Sequence, residues 1–322
     1  MRLKLGVLGV GHFGRFHALK AAKGARTELV GVADADPARA AAVAAEAGAP
    51  ALPAEALIAA ADALIVAAPT AYHAGLATAA LEAGKHVLVE KPIAATLAEA
   101  DALIALAAAK GRVLQVGQLE RFSAGMAAMR EGGGIAARVG KPLYLEAVRI
   151  APFRPRSLDV PVVLDLMIHD LDLALMVFGA PLVGVDAVGA NVASQRTDIA
   201  NARLRFGNGG VATLTASRVS LKMERRLRLF GSEGYLQMDF LARTLHVVRK
   251  GEGEALEQLP GFGGAHASWQ DRDSLEAEHA AFAAACLDGA PVEADGAVGR
   301  AALDAALRVE EAIAASRLAA EG

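Results

Sequence analysis

Five short apolar runs separated by stretches of helical composition fill the first part of the chain. They are Leu3–Leu8 (LKLGVL), Glu28–Ala33 (ELVGVA), Ala63–Ala68 (ALIVAA), His86–Glu90 (HVLVE) and Arg112–Gln115 (RVLQ). Between them lie a glycine turn with a helical stretch through Lys20, then Pro37–Ala47 closed by Gly48, Ala74–Glu82 closed by Gly84, and Thr96–Lys110 closed by Gly111. Thr96 with Glu99 three residues on has the form of a capping box. A run apolar on both faces must be covered on both faces. Strands of this kind alternating with helices therefore dictate βαβ units, a parallel sheet and helices on either side of it.

Past residue 120 the pattern changes. Leu143–Ile150 reads as a strand and Val162–Phe178, closed by Gly179, as a helix. Strands then dominate: Gly184–Val192, Ile199–Phe206, Gly210–Val219, Arg226–Phe230, Tyr235–Met238 and Thr244–Val248. Ala202–Phe206 alternates apolar and basic residues, the mark of a sheet with one wet face, and Phe206–Gly210 has hairpin chemistry. Leu275–Leu287 and Gly299–Leu318 read as closing helices. With 322 residues against ~150 per domain, two domains are expected. These are an α/β doubly wound domain over 1–120 and an α+β domain with an open antiparallel sheet over 121–322.

Composition excludes several classes. The 33 basic and 36 acidic residues leave a net charge of −3, unlike the basic balance of a dedicated nucleic-acid binder. The single cysteine, Cys286, excludes an internal disulfide and a cysteine-rich zinc site, and is expected to pack as a small apolar residue. No apolar run reaches the ~18–20 residues of a membrane span; Ala54–Ala68 is interrupted by Glu55 and Asp62. The N-terminus lacks a signal-peptide pattern, so a cytoplasmic protein is expected.

Gly9-Val10-Gly11-His12-Phe13-Gly14 joins the first strand to the first helix. A G-x-G-x-x-G in that context allows a tight turn, close approach of a pyrophosphate to the backbone, and close helix–strand packing. Asp34, at the end of the second strand, is placed to bond ribose hydroxyls. Ala35 follows it, so a 2′-phosphate would meet a carboxylate with no evident partner. NAD is thus expected over NADP. Ala68, Pro69, Thr70 and His73 follow the third strand, at the carboxyl edge where such sheets bind ligands. His73 reads equally well as a solvated turn residue.

Glu90-Lys91-Pro92 closes the fourth strand. Lys91 there could donate to a substrate oxygen, Glu90 adjoins the same crevice, and Pro92 is a candidate for a cis bond. In the predicted helix 162–178, Asp165 and His169 stand four residues apart on one face, with Asp172 on the same side. A His oriented by a carboxylate can serve as a general base. A structural Asp–His pair is the alternative. No second His or Cys cluster supports a metal. Arg149, Arg154 and Arg156 precede this helix. Guanidinium forks suit a diphosphate, and a solvated basic loop is the competing reading.

These motifs, in this order, resemble the Gfo/Idh/MocA oxidoreductases over essentially the whole chain. The resemblance implies a Rossmann domain followed by an open-faced sheet and a nicotinamide cofactor. It also implies assembly as dimers or tetramers through the sheet. It makes Lys91, Asp165 and His169 the catalytic group, with His169 the proton acceptor. The stretches Val116–Phe122, Ala151–Arg156, Val163–Asp170 and Asp198–Arg203 look like the branch that oxidises nucleotide-linked amino sugars at C3. Gln118 departs from that branch, which carries His there. The expected activity is oxidation of a sugar ring hydroxyl. The alternatives are an inositol, a free or anhydro sugar, or a non-catalytic NAD-binding regulator.

Overall fold

The computed structural model describes residues 1–154, 160–270 and 272–321. It divides into two compact units: Met1–Phe122 with Asp273–Leu303, and Ser123–Arg272 with the chain from Asp304 onward.

The first unit is built on five parallel strands: β1 (Leu3–Leu8), β2 (Thr27–Ala33), β3 (Ala63–Val66), β4 (His86–Val89) and β5 (Leu114–Val116). Their spatial order is β2-β1-β3-β4-β5, which places the change of winding direction beside β1. Every residue of β3 is buried, as its unbroken apolar run requires. Helices α1 (His12–Lys23), α2 (Pro37–Ala47), α3 (Ala54–Ala60), α4 (His73–Glu82) and α5 (Leu97–Lys110) connect the strands. Local chemistry sets their ends. Asp36 caps α2 through the Ala38 and Arg39 amides at 3.0 and 3.2 Å, and Pro37 opens the helix. The expected capping box of Thr96 and Glu99 starts α5. Helix α3 was not foreseen. Its short apolar sequence merges with the strand that follows, and it packs Leu57 against Gly6, where a Cβ would lie 2.8 Å from the Leu57 side chain.

The second unit is a nine-stranded sheet. Its strands are β6 (Pro142–Ile150), β7 (Leu182–Ala190), β8 (Ile199–Phe206), β9 (Val211–Ser217), β10 (Glu224–Gly231), β11 (Gly234–Asp239), β12 (Thr244–Lys250), β13 (Glu254–Ala255) and β14 (Phe262–Ser268), in the order β13-β14-β12-β11-β10-β6-β9-β8-β7. The sheet is mixed, not antiparallel throughout: β6 and β9 run parallel, from Tyr144 opposite Val211 to Ile150 opposite Ser217. The excursion through a helix and the β7–β8 hairpin brings the chain back in the direction of β6. Strand β8 alternates as its sequence predicts, with Ala200, Ala202, Leu204 and Phe206 buried.

Helices α6 (Ala124–Arg130), α7 (Gly134–Val139) and α8 (Ile168–Phe178) belong to this unit. Met126, Met129, Leu171, Leu145, Leu214 and Leu229 share its core. The expected helix over 162–178 is present without a break, with its Val163–Met167 stretch wound as a π turn that leads into α8, and Gly179 ends it at φ 55°. Strand β14 escaped the sequence reading because FGGAHAS lacks the β-branched residues that mark strands. Helix α9 (Ser274–Asp288) packs with the first unit, and α10 (Gly296–Glu321) begins there. No helix among the described residues is long and apolar enough to cross a membrane.

Candidate active site

The β1–α1 turn is shaped by backbone geometry. Gly9 has φ 85°, and a Cβ on Gly14 would sit 1.9 Å from the Gly9 carbonyl oxygen. Neither position tolerates a side chain. A Cβ on Gly11 would meet nothing closer than Arg39 Nη1 at 4.0 Å, so this residue faces open space. Gly11 caps α1 without a side-chain bond, leaving the amides of the first turn directed outward. These amides border a cavity of about 680 Å³ whose lining includes Gly9, Gly11, His12, Phe13, Asp34, Arg39, Ala68, Pro69 and Tyr72.

The Asp34 carboxylate is fixed from two sides: Oδ2 accepts from the Val10 amide at 2.8 Å and Oδ1 from the Asp36 amide at 2.9 Å. It does have a cationic neighbour. Arg39 Nε lies 3.6 Å from Asp34 Oδ1, and Nη2 lies 3.2 Å from Asp36. This cation is not the residue next to Asp34 in sequence, which is Ala35. The Asp36-Pro37 helix start folds residue 39 back over the strand end instead. A glycine turn with open space over Gly11, beside an immobilised carboxylate, fits a dinucleotide.

His73 is not a solvated turn residue. It is buried, with Nδ1 2.8 Å from the Pro92 carbonyl and Nε2 2.8 Å from the Ala68 carbonyl. It ties the ends of β3 and β4 together rather than lining the cavity. Thr70 opens a single 3-10 turn, Thr70–Tyr72. Lys91–Pro92 is cis. Lys91 is half-buried, and its amide donates to Glu90 Oε2 at 3.0 Å. Burial would raise the Glu90 carboxyl, but the His17 hydrogen bond and the charge of Lys91 prevail and hold it below the ordinary range. His17, one turn beyond the glycine motif, was missed; its apolar neighbours gave no hint of a polar role.

In the second unit, Asp165 lies in the π turn and His169 in the first turn of α8. Both are partly exposed, while Asp170 and Asp172 are buried. Arg149 points inward from β6 and grips Asp170 with two bonds, Nε to Oδ2 at 3.0 Å and Nη2 to Oδ1 at 2.8 Å. Its fork is therefore engaged within the protein and ties the helix of His169 to the sheet. Arg154 is exposed beyond the end of β6, and Arg156 lies outside the described residues.

A further anchor, unforeseen in the sequence, is Asp198. It accepts from the amides of Val192, Ala193 and Ser194 at 2.8, 2.7 and 2.9 Å and from Arg218 Nε at 2.8 Å. Arg218 also reaches the Val160 carbonyl at 2.7 Å, and the Val162 amide reaches the Thr197 carbonyl at 2.8 Å. Asp198 thus fixes the entrance to the π turn. Among the described residues, no group of three or more His, Cys, Asp or Glu is arranged to hold a metal ion.

Comparison with known proteins accords with this geometry. Residues 3–118 match the oxidoreductase family with an NAD-binding Rossmann fold, and residues 138–237 match the GFO/IDH/MocA C-terminal domain. The chain is 43% identical over 316 residues to a UDP-N-acetylglucosamine 3-dehydrogenase of Acidithiobacillus ferrooxidans, covering 98% of both. A solved structure of that enzyme superposes with a TM-score of 0.91 at 43% identity over 98% of each chain. An inositol 2-dehydrogenase of Rhizobium meliloti is 29% identical over 327 residues, 96% of this chain and 97% of that one. The scyllo-inositol dehydrogenase of Lactobacillus casei, solved with NAD(H) and scyllo-inositol, shares the fold at a TM-score of 0.81 and 21% identity, over 98% of both chains. The chain belongs to the Gfo/Idh/MocA family and is an NAD-binding oxidoreductase acting on CH–OH groups.

Proposed function

We propose that the chain oxidises C3 of UDP-N-acetylglucosamine or a closely similar UDP-linked amino sugar. The observation that carries this reading is whole-length similarity to an enzyme of that activity, in a chain that has the glycine cradle, Lys91, Asp165 and His169. Gly9, Gly11, His12, Phe13 and Gly14 would hold the pyrophosphate through backbone amides, Asp34 the ribose hydroxyls, and Ala68, Pro69 and Thr70 the neighbouring edge. Bound NAD supplies the hydride acceptor.

The chain's own residues handle the proton and the oxygen. His169 accepts the hydroxyl proton as a general base, and Asp165 orients its ring. The Lys91 ammonium donates to the same oxygen and stabilises the negative charge that develops there. Arg154 and Arg156 suit the diphosphate of the substrate. Arg149, committed to Asp170, positions α8. Asp172, buried on the same helix, is read as supporting the sugar-binding side. The wet face of the nine-stranded sheet, where Tyr144, Phe230 and Tyr235 stack 5.9 and 5.4 Å apart, is the surface for a homodimer or homotetramer, which light scattering would measure.

The test is NADH formation with UDP-N-acetylglucosamine, UDP-N-acetylgalactosamine, myo-inositol and scyllo-inositol. Turnover on the first is expected, with Lys91→Ala and His169→Ala losing it while still binding NAD. Turnover on an inositol alone would discard the nucleotide-sugar reading.

A further inference from the structure

A chain of part-buried and buried hydrogen bonds runs backward from Lys91, and the chemistry above does not use it. The Lys91 amide donates to Glu90 Oε2 at 3.0 Å, and Glu90 Oε1 lies 2.8 Å from His17 Nε2. His17 Nδ1 lies 2.9 Å from His279 Nε2, with the two rings only 16° from parallel. His17 sits on α1, Glu90 at the end of β4 and His279 on α9, all in the first unit. His17 is fully enclosed and His279 nearly so.

The partners assign the hydrogens. An ionised carboxylate only accepts, so His17 Nε2 bears one. Burial, with the charge of Lys20 adding to it, pushes His279 well below the ordinary histidine range, which favours its neutral ring. If its Nε2 donates, His17 Nδ1 is left as the acceptor, and each ring fixes the hydrogen of the next. Glu278, beside His279, has both carboxyl oxygens buried with no hydrogen-bond partner among the described residues. Burial, reinforced by the charge of Glu90, pushes this acid well above its usual range. The other charged groups facing the cluster are Lys91 from β4 and Lys20 from α1. Lys20 is itself paired to Asp273 at 2.5 Å, with Glu276 at 3.9 Å. Gln115, from β5, approaches the Glu278 carbonyl at 3.5 Å.

We infer that His17 is a positioning residue: through Glu90 it fixes the turn that presents Lys91, and His279 selects which His17 nitrogen carries the hydrogen. The inference rests on the catalytic reading of Lys91. A carboxylate gripped by one donor holds the Lys91 amide through its other oxygen; without that donor the turn is free to shift.

The experiment compares His17→Leu, His17→Gln, Glu90→Gln and Lys91→Ala with UDP-N-acetylglucosamine and NAD. His17→Leu is expected to lower kcat by about 10- to 100-fold, the cost of a small misplacement of a reacting group. NAD affinity by calorimetry should change less than about threefold, since the glycine cradle is untouched. Its kcat profile should move to higher pH on the acid side, because Glu90 loses the donor that keeps it ionised. His17→Gln, which can donate to Glu90 and accept from His279, should recover most of the rate. Glu90→Gln should resemble His17→Leu.

Nitrogen-15 histidine NMR of the unmodified enzyme should show His17 as the Nε2–H tautomer, a readout that needs no turnover and survives any variant that fails to fold. Equal loss in His17→Leu and His17→Gln with an unmoved pH profile would overturn the inference. So would wild-type kcat in His17→Leu, or an Nδ1–H tautomer. Full turnover in Lys91→Ala would instead sink the catalytic reading, whereas an inactive Lys91→Ala beside a normal His17→Leu would sink this inference alone.

Discussion

Glu278 in the first unit and Asp198 in the second are both fully buried, yet the carboxyl of one is pushed well above its usual range and that of the other is held far below. Burial pushes both upward. For Asp198 the amides of Val192 and Ala193, the Arg218 guanidinium and the Ser194 hydroxyl overrule it and hold the carboxyl far below its usual value. Glu278 has no such donors among the described residues, so burial wins. Depth alone does not decide the charge of a buried carboxyl; the donors do. The same division runs through the two units. The first makes its cofactor cradle from glycines and backbone amides, and the second holds its helix with paired charges.

The sharpest way to break the comparison is Arg149→Met, which removes both guanidinium bonds from the buried Asp170 carboxylate. A loss of about 3–5 kcal/mol in denaturant unfolding is expected, most of it recovered when Asp170→Leu is added. Loss of only a few tenths would show that side-chain charge is not what holds α8.

Gly14→Ala tests the other half. Its methyl group would enter the Gly9 carbonyl, so a stability cost of about 1–3 kcal/mol and a loss of NAD binding by calorimetry are expected.

The two carboxyl groups should also give opposite pH responses. Glu278, raised in the folded state, contributes stability that is complete below the ordinary glutamate value of 4.5 and is lost as pH rises through its folded value. Glu278→Gln should therefore stabilise the protein at neutral and alkaline pH and flatten that slope. Asp198, depressed, contributes stability that is present above 3.8 and lost as pH falls further. Thermal melts across pH of Glu278→Gln and Asp198→Asn check both signs.

The smallest effect concerns Arg39. Asp34→Ser removes one of the two carboxylates beside a guanidinium that lines the cavity, leaving Asp36, so NADP affinity should rise, by about tenfold if one charge-assisted bond to the 2′-phosphate forms. Adding Arg39→Ala should cancel the gain, as read by titration of both nucleotides.

Much of the fold was legible because it rests on local rules. The parallel strands announced themselves as unbroken apolar runs, α5 by Thr96 and Glu99, and the β8–β9 hairpin by its glycines. The parallel β6–β9 pair was not legible, since strand direction depends on connections far apart in sequence. The glycine cradle could be read because Gly9 and Gly14 serve backbone geometry within a few residues of each other. Arg39, His17, Asp198 and the inward turn of Arg149 could not. Each acquires its role from a partner that only the tertiary fold supplies: Asp34, Glu90, Arg218 and Asp170.

The chain leaves the first unit at Phe122 and re-enters it at Asp273, and Phe282 of α9 packs in the same core as Leu5 and Val7 of β1. During synthesis, then, the dinucleotide-binding half is begun first and finished after the segment Ser123–Arg272 has been made. At ~5–20 residues per second, the wait is on the order of ten seconds. Throughout it, one flank of β1 and the His17 side of α1 lack their permanent cover. The nascent chain is exposed to aggregation or chaperone capture for that interval, and a shortened gene product ending near residue 122 would stay in that state indefinitely.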